Sequence, residues 1–332
     1  AGPATDIGKD SLLPYMDEFA DRLRADWHDD RPDIVHAHFW MSGYASLAAR
    51  PASTAVLQTF HALGTVKRRY NGPSDTSAPE RLAIESDIVA ESDRIIATCR
   101  DERGELTCLG ADPSKIDIVP CGVDTTIFRP IGAKAQRSST RRLLAVSRLV
   151  PRKGLSDVIE ALVDVPDTEL VVIGGPAAPD LEADHEYQRL CATARACGVT
   201  DRVVFLGGMD RRRVAAWMRS SDAVVAAPHY EPFGIVPIEA MACGVPVIGT
   251  AVGGLLDTVV DGVTGVLVEP NEPTAIAAAA RSLLSDQALR DRMASEAAVR
   301  AQRLYPWAKV AAATVESYAA ALCPRARLAE SS

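Results

Sequence analysis

The sequence predicts an α/β protein made of two doubly wound domains, each a parallel sheet with helices on both faces. Three observations predict it. Strand-length apolar runs alternate with segments of helical periodicity along most of the chain, the pattern left by parallel strands joined through crossover helices. A turn-rich, polar stretch at 120–140 interrupts the alternation, which then restarts. The length, 332 residues, suits two domains better than one.

Taken in order, residues 6–31 carry Leu12, Tyr15, Met16, Phe19 and Leu23 at three-to-four spacing, which predicts a helix with an acidic outer face. A strand at 34–39 follows, ending in His36-Ala37-His38-Phe39-Trp40, and then a small-residue helix at 42–49. A second strand at 54–60 runs into His61, and residues 65–77, with Lys67, Arg68, Arg69 and Asn-Gly-Pro, read as a long polar loop. Helix 79–91, strand 94–98, helix 101–109 and strand 116–119 complete the first half. The second half offers six strands, at 143–147, 169–173, 203–206, 223–226, 245–249 and 266–268, each followed by a plausible helix. The tail is helical at 274–284, at 286–303 and from Pro306 to about residue 322, Pro being tolerated in a first helical turn. Domains are therefore expected at 1–130 and 131–304, with a closing helix at 305–322. Two such domains set against each other leave a cleft, the usual place for a ligand.

Composition narrows the function classes. Hydrophobic residues make up 47% and charged residues 24%, enough for a well-formed core. The net charge of −8 argues against non-specific binding to nucleic acid or to an anionic membrane. The basic runs at 141–142 and 211–213 read as solvated faces. Seven Cys are scattered without a C-x-x-C pair, which fits a reducing cytoplasm better than secretion. No apolar run is long enough to span a bilayer, and no signal peptide is evident. The opening Ala-Gly-Pro-Ala, without Met, reads as the start of a fragment.

The chemistry concentrates in Glu231-Pro-Phe-Gly-Ile-Val-Pro-Ile-Glu239. A helix is expected to start after Gly234, so Glu231 stands at its mouth and Glu239 a little over two turns down on a similar heading. Phe233, Gly234, Ile235 and Val236 present backbone N–H groups between them, and a helix start attracts anions. Carboxylates beside such a mouth can accept hydrogen bonds from sugar hydroxyls, so a diphosphate with a sugar on each side meets both demands. Ser147-Arg148-Leu149-Val150-Pro151-Arg152-Lys153-Gly154 lies at the C-terminal end of the second half's first strand, where ligands of open α/β sheets bind. Arg148 offers a planar fork for phosphate oxygens and Lys153 a mobile point charge, with Gly154 allowing close backbone approach. A solvated basic loop is the bland alternative.

No G-x-G-x-x-G follows a strand and no Walker A sequence occurs, which disfavours a nicotinamide dehydrogenase and a P-loop phosphotransferase. Gly253-Gly254 reads equally as a phosphate- or sugar-facing loop and as a plain turn. His38 has three readings: a cleft-facing polar group, a core histidine, or half of a metal pair with His36, which points the same way on a strand. No third ligand with suitable spacing accompanies that pair, and metal sites need three or four. No metal and no cofactor are expected. His61 is a weaker copy of His38, and His28 and His185 read as surface residues.

The Glu-x7-Glu motif, the Ser-Arg-x-x-x-x-Lys-Gly loop and Cys-Gly-Val-Asp-x-x-x-Phe at 121–128 resemble the retaining glycosyltransferases of group 1 (family 4), which have the GT-B fold. His-Ala-His-Phe-Trp-Met-Ser-Gly resembles their bacterial branch near the inositol-phosphate N-acetylglucosaminyltransferases and sucrose-phosphate synthases. The resemblance covers residues 33–320. It implies that Arg148 and Lys153 hold a donor diphosphate, that Glu231 binds hydroxyls of the transferred sugar and Glu239 those of the ribose, and that the backbone of Phe233 to Val236 meets sugar and phosphate. It places His38 against the donor sugar and has the last helix cross back to the first domain. It also implies a further strand–helix–strand block with a Gly-rich loop ahead of residue 1, which makes the first domain incomplete here.

The expected partners are a nucleotide-diphospho-sugar donor and a hydroxyl acceptor, with no nucleic acid. Lys67 and Arg68 are candidates to receive an anionic acceptor. A sugar-nucleotide epimerase, and a truncated chain that binds the nucleotide without turnover, are the competing readings.

Overall fold

The computed structural model describes residue 2, residues 4–138 and residues 141–329. The chain forms two compact units, one holding the described residues up to Pro120 and from Val310 onward, the other Cys121–Lys309.

In the first unit, α1 (Met16–Asp29) precedes β1 (Ile34–His38), α2 (Trp40–Ala49), β2 (Ala55–Thr59), α3 (Gly64–Asn71), α4 (Arg81–Glu91), β3 (Arg94–Ala97), α5 (Arg100–Cys108) and β4 (Ile116–Ile118). The four strands are parallel in the order β1-β2-β3-β4. Phe19, Leu23 and Trp27 of α1 lie on Ala45 and Ala49 of α2, large side chains filling the space that small ones leave. The expected helix at 6–31 begins only at Met16. Lys9–Ser11 and Leu13–Tyr15 are 3-10 turns, and Pro14 lacks the N–H that an earlier helical turn would need.

The expected loop at 65–77 is corrected more substantially, since α3 occupies most of it and a 3-10 turn follows at Gly72–Ser74. Polarity there does not mean irregular backbone. Lys and Arg are good helix formers, Val66 supplies the buried face, and the Gly64 N–H donates to the Glu85 carboxylate at 2.7 Å.

The second unit contains β5 (Arg141–Val146), α6 (Leu155–Ala161), β6 (Thr168–Ile173), α7 (His185–Ala196), β7 (Val203–Phe205), α8 (Arg211–Arg219), β8 (Ala223–Ala226), α9 (Ile235–Ala242), β9 (Val247–Thr250), α10 (Leu255–Thr258), β10 (Gly265–Val268), α11 (Pro273–Ser285) and α12 (Gln287–Leu304). Its sheet is parallel throughout, in the order β10-β9-β8-β5-β6-β7. Helices cover both faces, so the inner strands read as unbroken apolar runs, and all six residues of β6 are buried. Leu143, Leu170, Val172, Val225 and Ile248 form the core with Ile159 of α6 and Leu283 of α11. β9 starts later than the sequence suggested because Pro246 has no N–H to give the ladder.

Residues 121–130, assigned to the first domain by sequence, pack with the second unit. The Val123 N–H donates to the Tyr305 carbonyl at 2.8 Å, Phe128 is fully buried, and Arg219 donates to the carbonyls of Ile127, Arg129 and Ala133. The last helix, α13 (Trp307–Ala329), starts in the second unit and continues into the first. There Val310, Ala313, Tyr318 and Ala321 pack with Ala55, Leu57, Ile96 and Val119.

Candidate functional site

The strand order of the second unit fixes where a ligand can enter. From β5 the chain winds outward through β6 to β7, then returns to β8 on the other side of β5 and winds the opposite way to β10. The loops after β5 and β8 therefore leave the sheet in opposite directions and open a crevice between them, the switch point at which open α/β sheets bind ligands. Those two loops carry the motifs singled out from sequence, around Lys153 and Glu231.

Glycines set the loop geometry. Gly154 has φ 62°, and a Cβ there would stand 1.9 Å from the Ala227 carbonyl oxygen. The close approach expected at Gly154 is thus between the two loops themselves. Gly253 and Gly254 act similarly: added Cβ atoms would meet the Glu231 carbonyl at 2.2 Å and Phe233 Cα at 2.3 Å, and the Gly254 N–H donates to the Glu231 carbonyl at 2.9 Å. They support the Glu231–Phe233 loop from behind.

A cavity of about 190 Å³ opens at the crevice, lined by Ser147, Lys153, Glu231, Gly234, Ile235 and Val236 among others. Lys153 Nζ and the Glu231 carboxylate form an ion pair within it, each side chain mostly buried. Burial pulls the Lys153 amine below its usual pKa, against the opposing pull of Glu231. Gly234, at φ 91°, caps α9, whose first-turn N–H groups have no intrahelical partner. They sit beside the ion pair on the same cavity wall. Phe233 is buried with its ring edge-on to Tyr305, so its side chain packs and only its backbone remains for a ligand. Arg148 is exposed, and its charge acts on both Arg152 and Lys153. Arg152 was not singled out from sequence: it donates to the Tyr230 carbonyl at 3.4 Å, and burial lowers its pKa.

Glu239 lies in α9 outside this cavity, largely buried, and accepts a hydrogen bond from Arg211 Nη2 at 3.1 Å. Burial raises its pKa and Arg211 opposes that shift. Arg211 was read as part of a solvated run. Its neighbours Arg212 and Arg213 fit that reading, and Arg211 departs from it because it faces α9.

In the first unit, His38 ends β1 and is exposed, which removes the core reading. Its Nδ1 lies 2.9 Å from His61 Nε2, and the two rings stack. Both nitrogens of His36 are taken, by the hydroxyls of Thr59 at 2.9 Å and Tyr318 at 3.0 Å. Among the described residues, no group of three or more His, Cys, Asp or Glu is placed to hold a metal. Phe39 and His61 follow β1 and β2 with φ of 73° and 60°, backbone conformations costly for non-Gly residues and concentrated at functional edges.

Behind them, Arg81 and Glu85 form a buried ion pair. Arg81 also donates to the Ala62 carbonyl, and its guanidinium lies 5.3 Å from the Phe39 ring centroid. Lys67 lies between Asp75 and Asp10 at 3.1 and 3.7 Å, Arg68 approaches Asp75 at 4.0 Å, and Arg69 pairs with Glu105. Each member of this basic cluster already faces a carboxylate of the same unit.

Comparison with known proteins places the chain. The model of the glycosyl transferases group 1 family matches residues 131–300, and that of glycosyltransferase family 4 matches residues 2–127. The chain is 37% identical over 340 residues to D-inositol 3-phosphate glycosyltransferase of Xylanimonas cellulosilytica, covering 97% of this chain and 80% of that protein. It is 35% identical to the protein of the same name from Mycobacterium tuberculosis (strain H37Ra), covering 97% and 69%. Among solved structures it matches sucrose-phosphate synthase from Thermosynechococcus elongatus with a TM-score of 0.87 and 29% identity, over 96% of this chain and 81% of that one. The HepE protein of Anabaena, solved with UDP, shares the fold at a TM-score of 0.78 and 20% identity, over 90% and 81%. The chain belongs to the group 1 glycosyl transferases, and its fold is GT-B. Its activity is that of a glycosyltransferase. Among the described residues no helix is long and apolar enough to cross a membrane.

Proposed function

We propose that the chain transfers a hexose from a nucleotide-diphospho-sugar to an acceptor hydroxyl with retention of anomeric configuration. The observation that carries this reading is the Lys153–Glu231 ion pair beside the open first turn of α9, at the switch point of the second sheet. A diphosphate entering there meets an ammonium, the Arg148 guanidinium and the N–H groups of Ile235 and Val236. These groups are in place before charge develops on the leaving group, and preorganised donors of this kind are the largest single source of catalysis in many enzymes. The diphosphate takes over Lys153, which frees the Glu231 carboxylate to accept hydroxyls of the transferred sugar.

The acceptor hydroxyl attacks the anomeric carbon from the face that the leaving group vacates. The bond from that carbon to the diphosphate oxygen breaks, and the diphosphate accepts the hydroxyl proton. A retaining hydrolase uses a carboxylate nucleophile about 5 Å from its acid partner. Here Glu231, once released from Lys153, is committed to hydroxyls of the transferred sugar, which favours direct same-face attack. His38, held by His61, is assigned to the donor sugar on the strength of the family resemblance.

Relatives whose name specifies inositol 3-phosphate make an anionic acceptor the favoured class. Lys67 and Arg68 are assigned to it as contacts, which requires that the acceptor displace Asp75 and Asp10 from them. The test is incubation with a panel of UDP-, GDP- and ADP-hexoses and phosphorylated polyol acceptors. Product analysis and the anomeric coupling in NMR spectra follow the outcome. A glycoside of unchanged anomeric configuration supports the reading; an inverted product, or epimerised donor without transfer, overturns it.

A further inference from the structure

We propose that Arg211 is a positioning residue for the nucleoside end of the donor: its guanidinium fixes Glu239 as a half-open carboxylate that accepts the two ribose hydroxyls, so the chain distinguishes ribonucleotides from 2′-deoxyribonucleotides. The inference rests on the nucleotide-sugar reading above and adds a residue outside the Glu-x7-Glu motif.

Arg211 is the first residue of α8. The preceding Asp210 caps that helix by accepting the Arg213 N–H at 3.0 Å, which fixes where the helix starts. From there the Arg211 guanidinium carbon lies 5.2 Å from the centroid of the Phe128 ring, itself fully buried. A guanidinium resting on a fixed aromatic face loses little further freedom when it forms a hydrogen bond. Nη2 donates to Oε1 of Glu239 at 3.1 Å. No hydrogen bond to the other carboxylate oxygen is found among the described residues, and that oxygen is not among the sealed, unpartnered buried atoms.

The consequence is chemical. A carboxylate buried to this degree favours its protonated form unless a cation opposes the desolvation. Arg211 is the charged group that opposes it at Glu239. Protonation would turn one acceptor oxygen into a donor and spoil acceptance from a vicinal diol. Arg211 therefore governs both the charge and the heading of the acceptor. The side chain of Glu239 is 10% exposed and that of Arg211 51%, so the carboxylate is sheltered while the cation that holds it remains half in solvent.

The test is calorimetric titration of the full chain with UDP, GDP and ADP, and with the 2′-deoxy form of whichever binds, at pH 6 and pH 8. Wild type, R211Q, R211K and K153A are compared. R211Q is expected to weaken ribonucleotide binding by about tenfold or more, the scale of a hydrogen bond to a charged group. The 2′-deoxy form should lose little, so the ribo-to-deoxy ratio collapses, and the loss should be greater at pH 6 than at pH 8. R211K keeps the charge and should retain the wild-type pH dependence, whereas K153A should weaken both nucleotides alike. An unchanged ratio and unchanged pH dependence in R211Q overturn this inference alone. Wild type that binds none of the three diphosphates overturns the donor reading and this inference with it.

Discussion

Lys153 and Glu231, 78 residues apart in sequence, close an ion pair across the two loops that leave the second sheet in opposite directions. On the donor reading proposed above, the ligand-free chain thereby satisfies two charges that the diphosphate and the sugar hydroxyls would otherwise meet. Removing either one strands the other in a mostly buried position, which is costly in itself. Lys153→Ala and Glu231→Ala are each expected to lower kcat/KM for sugar transfer by about two orders of magnitude or more, the scale seen when one preorganised transition-state group is lost. Since the two act as a unit, the double variant should lose far less than the product of the single losses. Steady-state kinetics on all four proteins check both statements. Single variants at wild-type rates would remove the pair from the mechanism.

The geometry that brings the two loops together is itself testable at Gly154. It adopts φ 62°, and its missing Cβ leaves room for the Ala227 carbonyl. Gly154→Ala combines a left-handed backbone, costing about 1–2 kcal/mol for a residue with a Cβ, with a contact that no side-chain rotation can relieve. The variant should melt several degrees lower. Because Lys153 is the adjacent residue, nucleotide binding should also weaken. Thermal unfolding and UDP titration of the same preparation separate the two effects. A variant as stable as wild type would mean that the Ala227 loop yields, and that the loop contact is not what sets the crevice.

Much of this arrangement was legible in the sequence, for identifiable reasons. Parallel strands buried on both faces produce continuous apolar runs, so β6 and β8 could be placed to within a residue or two. The start of a helix just after Gly234 was legible, and α9 begins at Ile235. A common heading for Glu231 and Glu239 was not, because Glu231 lies in the loop before α9 and meets Lys153, whereas Glu239, within α9, meets Arg211. Pairings across the fold were less accessible. Nothing local distinguishes Arg211 from Arg212 and Arg213, because its role depends on α8 facing α9 and on Phe128 arriving from more than eighty residues upstream. The helix α3 was missed because polarity alone does not separate a solvated helix from a loop; its one buried anchor, Val66, is too little periodic signal. Gly154 was read as room for a ligand, and Gly253 was left open between a ligand-facing loop and a plain turn. At both, the atom that needs the space is a carbonyl oxygen of a neighbouring loop, of Ala227 and of Glu231.

The histidines of the first unit give a pH dependence whose sign can be worked out. His36 is enclosed by Thr59 and Tyr318, with the His38 ring centroid 4.2 Å away, and burial, then the charges of His38 and His61, push its pKa down to about 4. In the unfolded chain it titrates near 6.5. Between those values the unfolded state binds the extra proton and the folded state does not, so stability is fully present above about pH 6.5 and is lost as pH falls toward 4. Hydrogen exchange of peptides covering β1 and β2, measured at increasing urea, should therefore show protection falling from pH 7 to pH 4.5 by more in wild type than in His36→Gln. The substitution keeps hydrogen-bonding groups for Thr59 and Tyr318 but has no proton to take up. The difference between the two proteins isolates His36 from carboxylates that titrate over the same range. Parallel pH profiles would place the proton uptake elsewhere, on His38 or His61, whose pKa values are also lowered chiefly by burial.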